Sequence, residues 1–176
     1  MNNHLIVSVL AEDRLGLVHE LSRAILDCGC TVLDSRITVL AGEFSALLLV
    51  SGNWNTLAKL EVQLEKLSHS LGILLRINRS DWPRSSANVL PYAVEVITMH
   101  QPAIIQRLAN FFFRRDINIE ELHSRGYSAP HTATPMFAVT MIVGIPARLH
   151  VATIRDEFMD FCDEQNWDAV MEPVKA

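Results

Sequence analysis

The sequence of 176 residues predicts an α+β fold in which one βαββαβ module, an antiparallel four-stranded sheet with two helices on one face, occurs twice. Two pairs of amphipathic segments carry this prediction. One apolar pattern recurs at a displacement of 87 positions: Leu17, Val18, Leu21, Ala24, Ile25 and Cys28, then Ile104, Ile105, Leu108, Phe111 and Phe112. A second pattern recurs at a displacement of 94: Leu57, Leu60, Leu64 and Leu67, then Val151, Ile154, Phe158 and Phe161. Both have the spacing of one helical face, so we expect two ferredoxin-like modules.

Segments between these helices predict the strands. In the first module they are Leu5–Leu10, Thr31–Leu40, Phe44–Val50 and Gly72–Ile77, and in the second Tyr92–Ile97, Phe137–Ile145 and Asp168–Val174. The charged residues of Thr31–Leu40 are typical of an edge strand, whereas the continuously apolar Ala46–Val50 is typical of a central strand. The change of displacement from 87 to 94 predicts about seven inserted residues at Ser128–Pro135, against a short connection at Ala41–Glu43.

These elements divide the chain into a first module at residues 1–78, a polar linker at 79–89 and a second module at 90–176. Modules of about 80 residues bury only about 60% of their chain surface when they are isolated. We therefore expect the two modules to pack on one another or the chain to form a homodimer. Trp82 in the linker and the loop at Tyr127–Pro135 are the candidates for a partner surface.

Composition limits the functions that the chain can have. Apolar residues make up 49% and charged residues 20%, which indicates a globular protein and not a disordered one. The net charge of −5 argues against an autonomous binder of phosphate backbones, so we expect no direct contact with nucleic acid. No apolar run reaches the roughly 18–20 residues that span a bilayer, and the first residues show no leader pattern. We expect a cytoplasmic protein that does not bind membranes.

No residue pattern predicts an enzyme. The seven histidines have no metalloprotease spacing, and the chain lacks a nucleotide-binding loop and the Gly-x-Ser-x-Gly pattern of serine hydrolases. Cys28, Cys30 and Cys162 form neither a disulfide framework nor a zinc spacing, so we expect Cys28 to be a small apolar core residue. We expect no catalytic residue, no metal and no cofactor. RNA-recognition domains share the βαββαβ order, but Phe44 stands almost alone where they need aromatic residues that stack bases.

The junction between the first strand and the first helix, Glu12–Val18, is the candidate binding site. Asp13 is expected to cap the helix by accepting a hydrogen bond from the backbone N–H of Gly16. The other amides of the first turn carry the positive end of the helix dipole. Gly16 has no Cβ, so a small ligand can approach the backbone there. Such a corner suits a carboxylate, and the carboxylate of a free amino acid is the natural candidate.

Asp13-Arg14-Leu15-Gly16-Leu17 at this position resembles the Asp-Arg-Pro-Gly-Ile/Leu signature of ACT domains, small regulatory modules that typically bind amino acids. The resemblance continues through Gly29–Arg36. A chain made of two such modules without a catalytic domain is similar to the glycine cleavage system transcriptional repressor family. This resemblance implies a cytoplasmic regulator that senses glycine and that acts by binding a LysR-type activator, without reading DNA alone.

The resemblance also implies which residues bind the ligand. They are the signature residues Asp13, Arg14, Leu15, Gly16 and Leu17 and, because related modules often complete a site across an interface with a neighbouring strand, Asp34, Ser35 and Arg36. Leu15 stands where the signature has proline. In the second module, His100-Gln101-Pro102-Ala103 keeps the proline but lacks the aspartate and the glycine, so we carry no ligand-binding role to that corner.

Two alternatives stay open within the same fold. The chain could be a regulatory subunit of an amino-acid biosynthetic enzyme, similar to the small subunit of acetolactate synthase, or it could resemble the sensor domain of formyltetrahydrofolate deformylase. Co-purification with a larger catalytic chain would favour this class. The duplicated module fills the whole length, which argues against a truncated deformylase.

Overall fold

The computed structural model describes residues 4–81 and 88–174, and the chain divides into two compact units. The first unit contains β1 (His4–Glu12), α1 (Leu17–Asp27), β2 (Thr31–Leu40), β3 (Glu43–Ser51), α2 (Trp54–Leu71) and β4 (Leu74–Ser80). The second contains β5 (Val89–Met99), α3 (Ile104–Phe113), β6 (Asn118–Ser128), β7 (Pro135–Pro146), α4 (Val151–Glu164) and β8 (Asp168–Pro173). The predicted α+β fold is confirmed, because each unit follows the order βαββαβ.

Each unit has its own antiparallel sheet, with the strand order β2-β3-β1-β4 in the first and β6-β7-β5-β8 in the second. The charged β2 is therefore an edge strand and the apolar β3 a central one, as the sequence predicts. Side chains alternate between the two faces of a strand. In β1 the buried Leu5, Val7 and Val9 belong to the core that contains the helical residues, and this side is called the helix face. The opposite side is called the helix-free face.

The helical patterns predict nearly all of the buried residues that the helices contribute to each core. Leu21, Ile25 and Leu60 are among the residues that are almost completely buried in the first unit, and Leu108, Phe112 and Phe158 are their counterparts in the second. Val18 and Ile105 depart from the prediction, since each is more than two-fifths exposed. Both lie at the margin of the apolar stripe, one position after the first buried residue of their helix, and the sheet does not cover them.

A β-bulge occurs at the same point of both edge strands. Pairing of β2 with β3 shifts register between Val32 and Asp34, and pairing of β6 with β7 shifts between Ile119 and Glu121. A bulge adds one residue, so the side chains that follow it exchange faces relative to simple alternation. The equivalent shift in the two units shows that the duplication extends to this irregularity of the backbone.

The predicted insertion lies in the hairpin of the second unit. Leu40 pairs with Glu43 across a connection of two residues in the first unit. Tyr127 pairs with Met136 in the second, where eight residues, 128–135, separate the two. Six residues of the predicted seven are thus inserted at this hairpin.

Both ends of the segment predicted as linker, residues 79–89, belong to strands. β4 continues through Arg79 to Ser80, and β5 begins at Val89, so both strands extend into the segment predicted as linker. Gly72, predicted to begin the fourth strand, instead ends α2 in a left-handed conformation with φ 63°. Most of the predicted linker, including Trp82, lies outside the described residues.

Two leucines of α1 provide a matched test of this packing. Leu21 is 2% exposed and Leu26 is 73% exposed. Leu21→Ala should lower the free energy of unfolding of the first unit by about 3 kcal/mol, because it leaves a cavity in the core. Leu26→Ala should change it by less than about 0.5 kcal/mol. Urea denaturation followed through the amide resonances of β1 measures both values, and equal losses would contradict the assigned core.

Candidate functional site

The corner between β1 and α1 begins the helix at a glycine and not at an aspartate. Gly16 is the N-cap residue, with φ 98°, and no side chain caps the helix. The predicted cap by Asp13 is therefore wrong. A capping side chain belongs to the residue directly before the first helical residue, and Asp13 precedes that position by three. Asp13 is held instead by its backbone, whose N–H donates to the carbonyl oxygen of Gly42 at 2.7 Å.

The first turn of α1 keeps three backbone donors without a partner. Its first backbone bond runs from the N–H of Glu20 to the oxygen of Gly16 at 2.9 Å. The N–H groups of Leu17, Val18 and His19 precede that bond, and within residues 4–81 and 88–174 none of them donates a hydrogen bond. The start of α2 differs, because the Asn53 side chain there accepts from the N–H of Thr56 at 2.9 Å. The first turn of α1 therefore has backbone donors free for a ligand, whereas a donor in the first turn of α2 is bonded to its own N-cap side chain.

An open cavity of about 640 Å³ lies at this corner. Its lining includes all five residues of the signature and six more, namely Asp13, Arg14, Leu15, Gly16, Leu17, Val18, His19, Ile37, Thr38, Val39 and Phe44. Leu15 is fully exposed, whereas Phe44 is 2% exposed and belongs to the core. The corner thus combines unpaired N–H donors, the carboxylate of Asp13 and an apolar wall.

The second predicted set of residues is divided between the two faces of the sheet. Ser35 pairs with the buried Leu48, so its side chain lies on the helix face. It lines a smaller cavity of about 200 Å³ that shares Val18 and Ile37 with the corner. Asp34 and Arg36 lie on the helix-free face, and their side chains form an ion pair at 2.6 Å. The structure therefore places Ser35 in a cavity next to the corner and leaves Asp34 and Arg36 on the opposite face.

Sequence reasoning missed the wall that β2 contributes. Ile37 and Val39 are 43% and 50% exposed on the helix face beside α1. The bulge at Leu33 decides which residues of β2 turn to that face, and a single sequence carries no clear signal for a bulge. The pairing partners Ala46 and Phe44 are buried, and this register identifies Ile37 and Val39 as part of the corner.

Arg14 has a structural contact within the first unit. Its guanidinium donates to the carbonyl oxygen of Leu71, the last residue of α2. Cations are favourable near the C-terminus of a helix, where carbonyl groups lack helical partners. Arg14 therefore connects the corner to α2, and it is also one of the residues that line the cavity.

The equivalent corner of the second unit has a similar backbone conformation but different side chains. Ala103 occupies the N-cap position of α3 with φ 66°, and the N–H of His100 donates to the oxygen of Pro135 at 2.9 Å. The imidazole of His100 packs edge-on against Phe137, with ring centroids 5.4 Å apart. By strand register Phe137 corresponds to Phe44. Phe44 lines the cavity in the first unit, whereas the side chain of His100 packs on Phe137 in the second.

Other candidate chemistries have less support. Within the described ranges, no group of three or more His, Cys, Asp or Glu residues could hold a metal ion, and no helix is both long and apolar enough to cross a membrane. Phe44, the residue considered for base stacking, lies in the core. Cys28, Cys30 and Cys162 are free and buried. Burial raises the pKa of the Cys28 thiol, and it raises the pKa of Cys162 to about 12.

The backbone of the two corners can be tested by reciprocal substitutions. Gly16→Ala should lower the free energy of unfolding by about 1 kcal/mol, because an L side chain is strained at this φ although no atom within 4 Å would meet the new Cβ. Ala103→Gly should raise it by up to about 1 kcal/mol, since glycine relieves the same strain at an entropic cost. Urea denaturation measures both, and a stabilising Gly16→Ala would contradict the assigned conformation.

Cys162 should make stability depend on pH. Its thiol stays protonated in the folded chain up to about pH 12, whereas in the unfolded chain it ionises near its ordinary pKa of 9.0. Its contribution to stability is therefore complete below pH 9 and is lost as pH rises through 9 towards 12. Cys162→Ala should make the free energy of unfolding fall less steeply over this pH range. Free energies of unfolding at about pH 8 and about pH 10.5 test it, and identical slopes in the two proteins would contradict it.

Comparisons with known proteins show what the chain is similar to. A family model described as the ACT domain matches residues 3–78. The glycine cleavage system transcriptional repressor of Escherichia coli K12 is 29% identical over 164 residues, which cover 93% of this chain and 86% of that protein. A crystal structure of an unknown protein from Galdieria sulphuraria has a TM-score of 0.79 and 24% identity, covering 98% of this chain and 99% of its own. A structure attributed to a glycine cleavage system transcriptional repressor has a TM-score of 0.70 and 21% identity, covering 98% of both chains.

The two structural matches establish the fold across both units. The ACT-domain model matches the first unit, and the sequence similarity to the Escherichia coli protein extends through the second. The first unit thus matches the ACT-domain model, and the chain as a whole is similar to the glycine cleavage system transcriptional repressor of Escherichia coli.

Proposed function

We propose that this chain is a regulatory protein, and not an enzyme, that senses a small amino acid and represses transcription of the glycine cleavage system through a protein partner. The similarity to the Escherichia coli repressor, which spans 93% of the chain and so includes both modules, supports the regulatory role. The observation that carries the sensing role is the set of three unpaired first-turn amides at the cavity beside α1.

The corner suits the two charges of an amino acid. The N–H groups of Leu17, Val18 and His19 can donate to the ligand's carboxylate, which also lies at the positive end of the α1 dipole. Asp13 lines the same cavity, and its carboxylate can accept from the ligand's ammonium group. Glycine is the ligand that the similarity to the repressor favours.

A homodimer would complete the corner. The cavity is open, and Ile37 and Val39 of β2 expose apolar surface in its lining. A second copy that covers these residues would remove that surface from water and enclose the ligand. The five signature residues and Ser35 are the ligand-binding residues of this proposal, whereas Asp34 and Arg36 are not on that face.

The partner is proposed to be a LysR-type transcription activator in the cytoplasm. A chain with a net charge of −5 is repelled by the phosphate backbone, so its effect on transcription has to pass through another protein. Binding of glycine at the corner would change the affinity for that partner, and partner binding would change the affinity for glycine by the same factor.

Isothermal titration calorimetry with glycine tests the sensing role. Gly16→Val should weaken binding by at least about tenfold, because valine does not adopt the φ of 98° and the first-turn donors then shift. Ala103→Val is the matched control, since it places the same side chain at the equivalent corner of the second unit, and it should leave the affinity unchanged. No heat with glycine, serine or any other small amino acid would remove the ligand from the proposal.

A pull-down from the native cell extract, with and without glycine, tests the partner. The proposal predicts that a LysR-type activator is captured and that glycine changes the amount retained. Capture of acetolactate synthase or another large catalytic chain would instead make this protein an enzyme's regulatory subunit.

A further inference from the structure

The helix-free face of the second sheet contains a groove with charged walls and a floor of small side chains. Thr140 of β7 pairs with Glu95 of β5 on one side and with His123 of β6 on the other. One row further, Ala138 pairs with Ile97 and with Arg125. Adjacent strands are about 4.8 Å apart, so the two walls stand about 10 Å apart at their Cα atoms. These six residues, called the sheet groove, line a cavity of about 320 Å³.

The charged groups of the sheet groove do not neutralise one another. In the part of the chain that the structure describes, the side chains of Glu95, His123 and Thr140 make no hydrogen bond or ion pair. Arg125 has a single weak contact there, with its guanidinium carbon 5.9 Å from the ring centre of Tyr127. An acid on one wall and donors on the other therefore face the same cavity with their binding capacity unused.

The same face of the first unit has a smaller cavity of about 200 Å³, and its lining differs. By register, Ser8 replaces Glu95, Leu47 replaces Thr140 and Arg36 replaces His123. Leu47 fills the floor with an exposed apolar side chain, and Arg36 is paired with Asp34. The repeated fold alone does not require this groove, so its charges are a feature of the second unit.

We propose that the sheet groove is a second ligand site, which binds a small zwitterion with an ammonium and a carboxylate group a few bonds apart, such as a free amino acid. The ammonium group pairs with the Glu95 carboxylate, and the carboxylate group accepts hydrogen bonds from Arg125 and from His123. Thr140 and Ala138 leave room for the ligand between the walls. All of these residues belong to the second unit, so this site does not depend on the corner beside α1.

Amide NMR titration of the full chain tests the site, with glycine, β-alanine and γ-aminobutyrate as probes of increasing charge separation. At least one of the three probes should shift the amide resonances of Thr140, Ala138 and His123. Glu95→Gln and Arg125→Gln should each weaken that response by about five- to tenfold. Glu172→Gln, on the same face of the sheet, and Arg155→Gln, on α4, are exposed controls outside the groove and should leave the response unchanged.

Probes that carry only one of the two charges test the two charge contacts separately. Methylamine should respond to Glu95→Gln and not to Arg125→Gln, whereas acetate should show the reverse. The proposal is overturned if none of the three zwitterions shifts the groove amides, or if the two groove variants and the two controls respond alike. Shifts at residues 13–19 report the corner beside α1 separately, so a failure of one site is distinguished from a failure of the other.

Discussion

One backbone hydrogen bond in each unit fixes the corner on which the candidate site depends. It joins the residue that follows the first strand to a carbonyl of the hairpin between the second and third strands, from Asp13 to Gly42 at 2.7 Å and from His100 to Pro135 at 2.9 Å. The bond holds the end of the first strand beside that hairpin. The chain then turns through a left-handed residue, Gly16 or Ala103, and the helix starts next to the edge strand. Cavity, donors and apolar wall all follow from this geometry.

The two units use the same backbone for different chemistry. In the first, the corner is open, and three first-turn amides and an acidic side chain are available to a ligand. In the second, His100 packs against Phe137 at this corner. The second unit instead has its unpaired charges on the helix-free face of the sheet. A duplication followed by such divergence gives two units that share a fold and differ in the residues at these positions.

The sequence predicts most of the fold because the main signals are local. Helical spacing at Leu17–Cys28 and its repeat at Ile104–Phe112 locate the buried faces, and the shift of displacement locates the longer hairpin. The helix cap could not be derived in this way, because the φ of Gly16 depends on the bond between Asp13 and the distant Gly42. The faces of Asp34 and Arg36 depend on the bulge at Leu33, whose pairing with β3 is also nonlocal. The signature residues were found by their resemblance, whereas Ile37 and Val39 became visible only through strand register.

The central claim is that an amino acid binds with its carboxylate at the first turn of α1. A crystal structure of the chain grown with a saturating concentration of glycine tests it most directly. The account predicts density for glycine in the corner cavity, with its carboxylate oxygens within about 3.2 Å of the amide nitrogens of Leu17, Val18 or His19. An empty corner at a glycine concentration that saturates binding in solution, or glycine bound only at the start of α3, would contradict it.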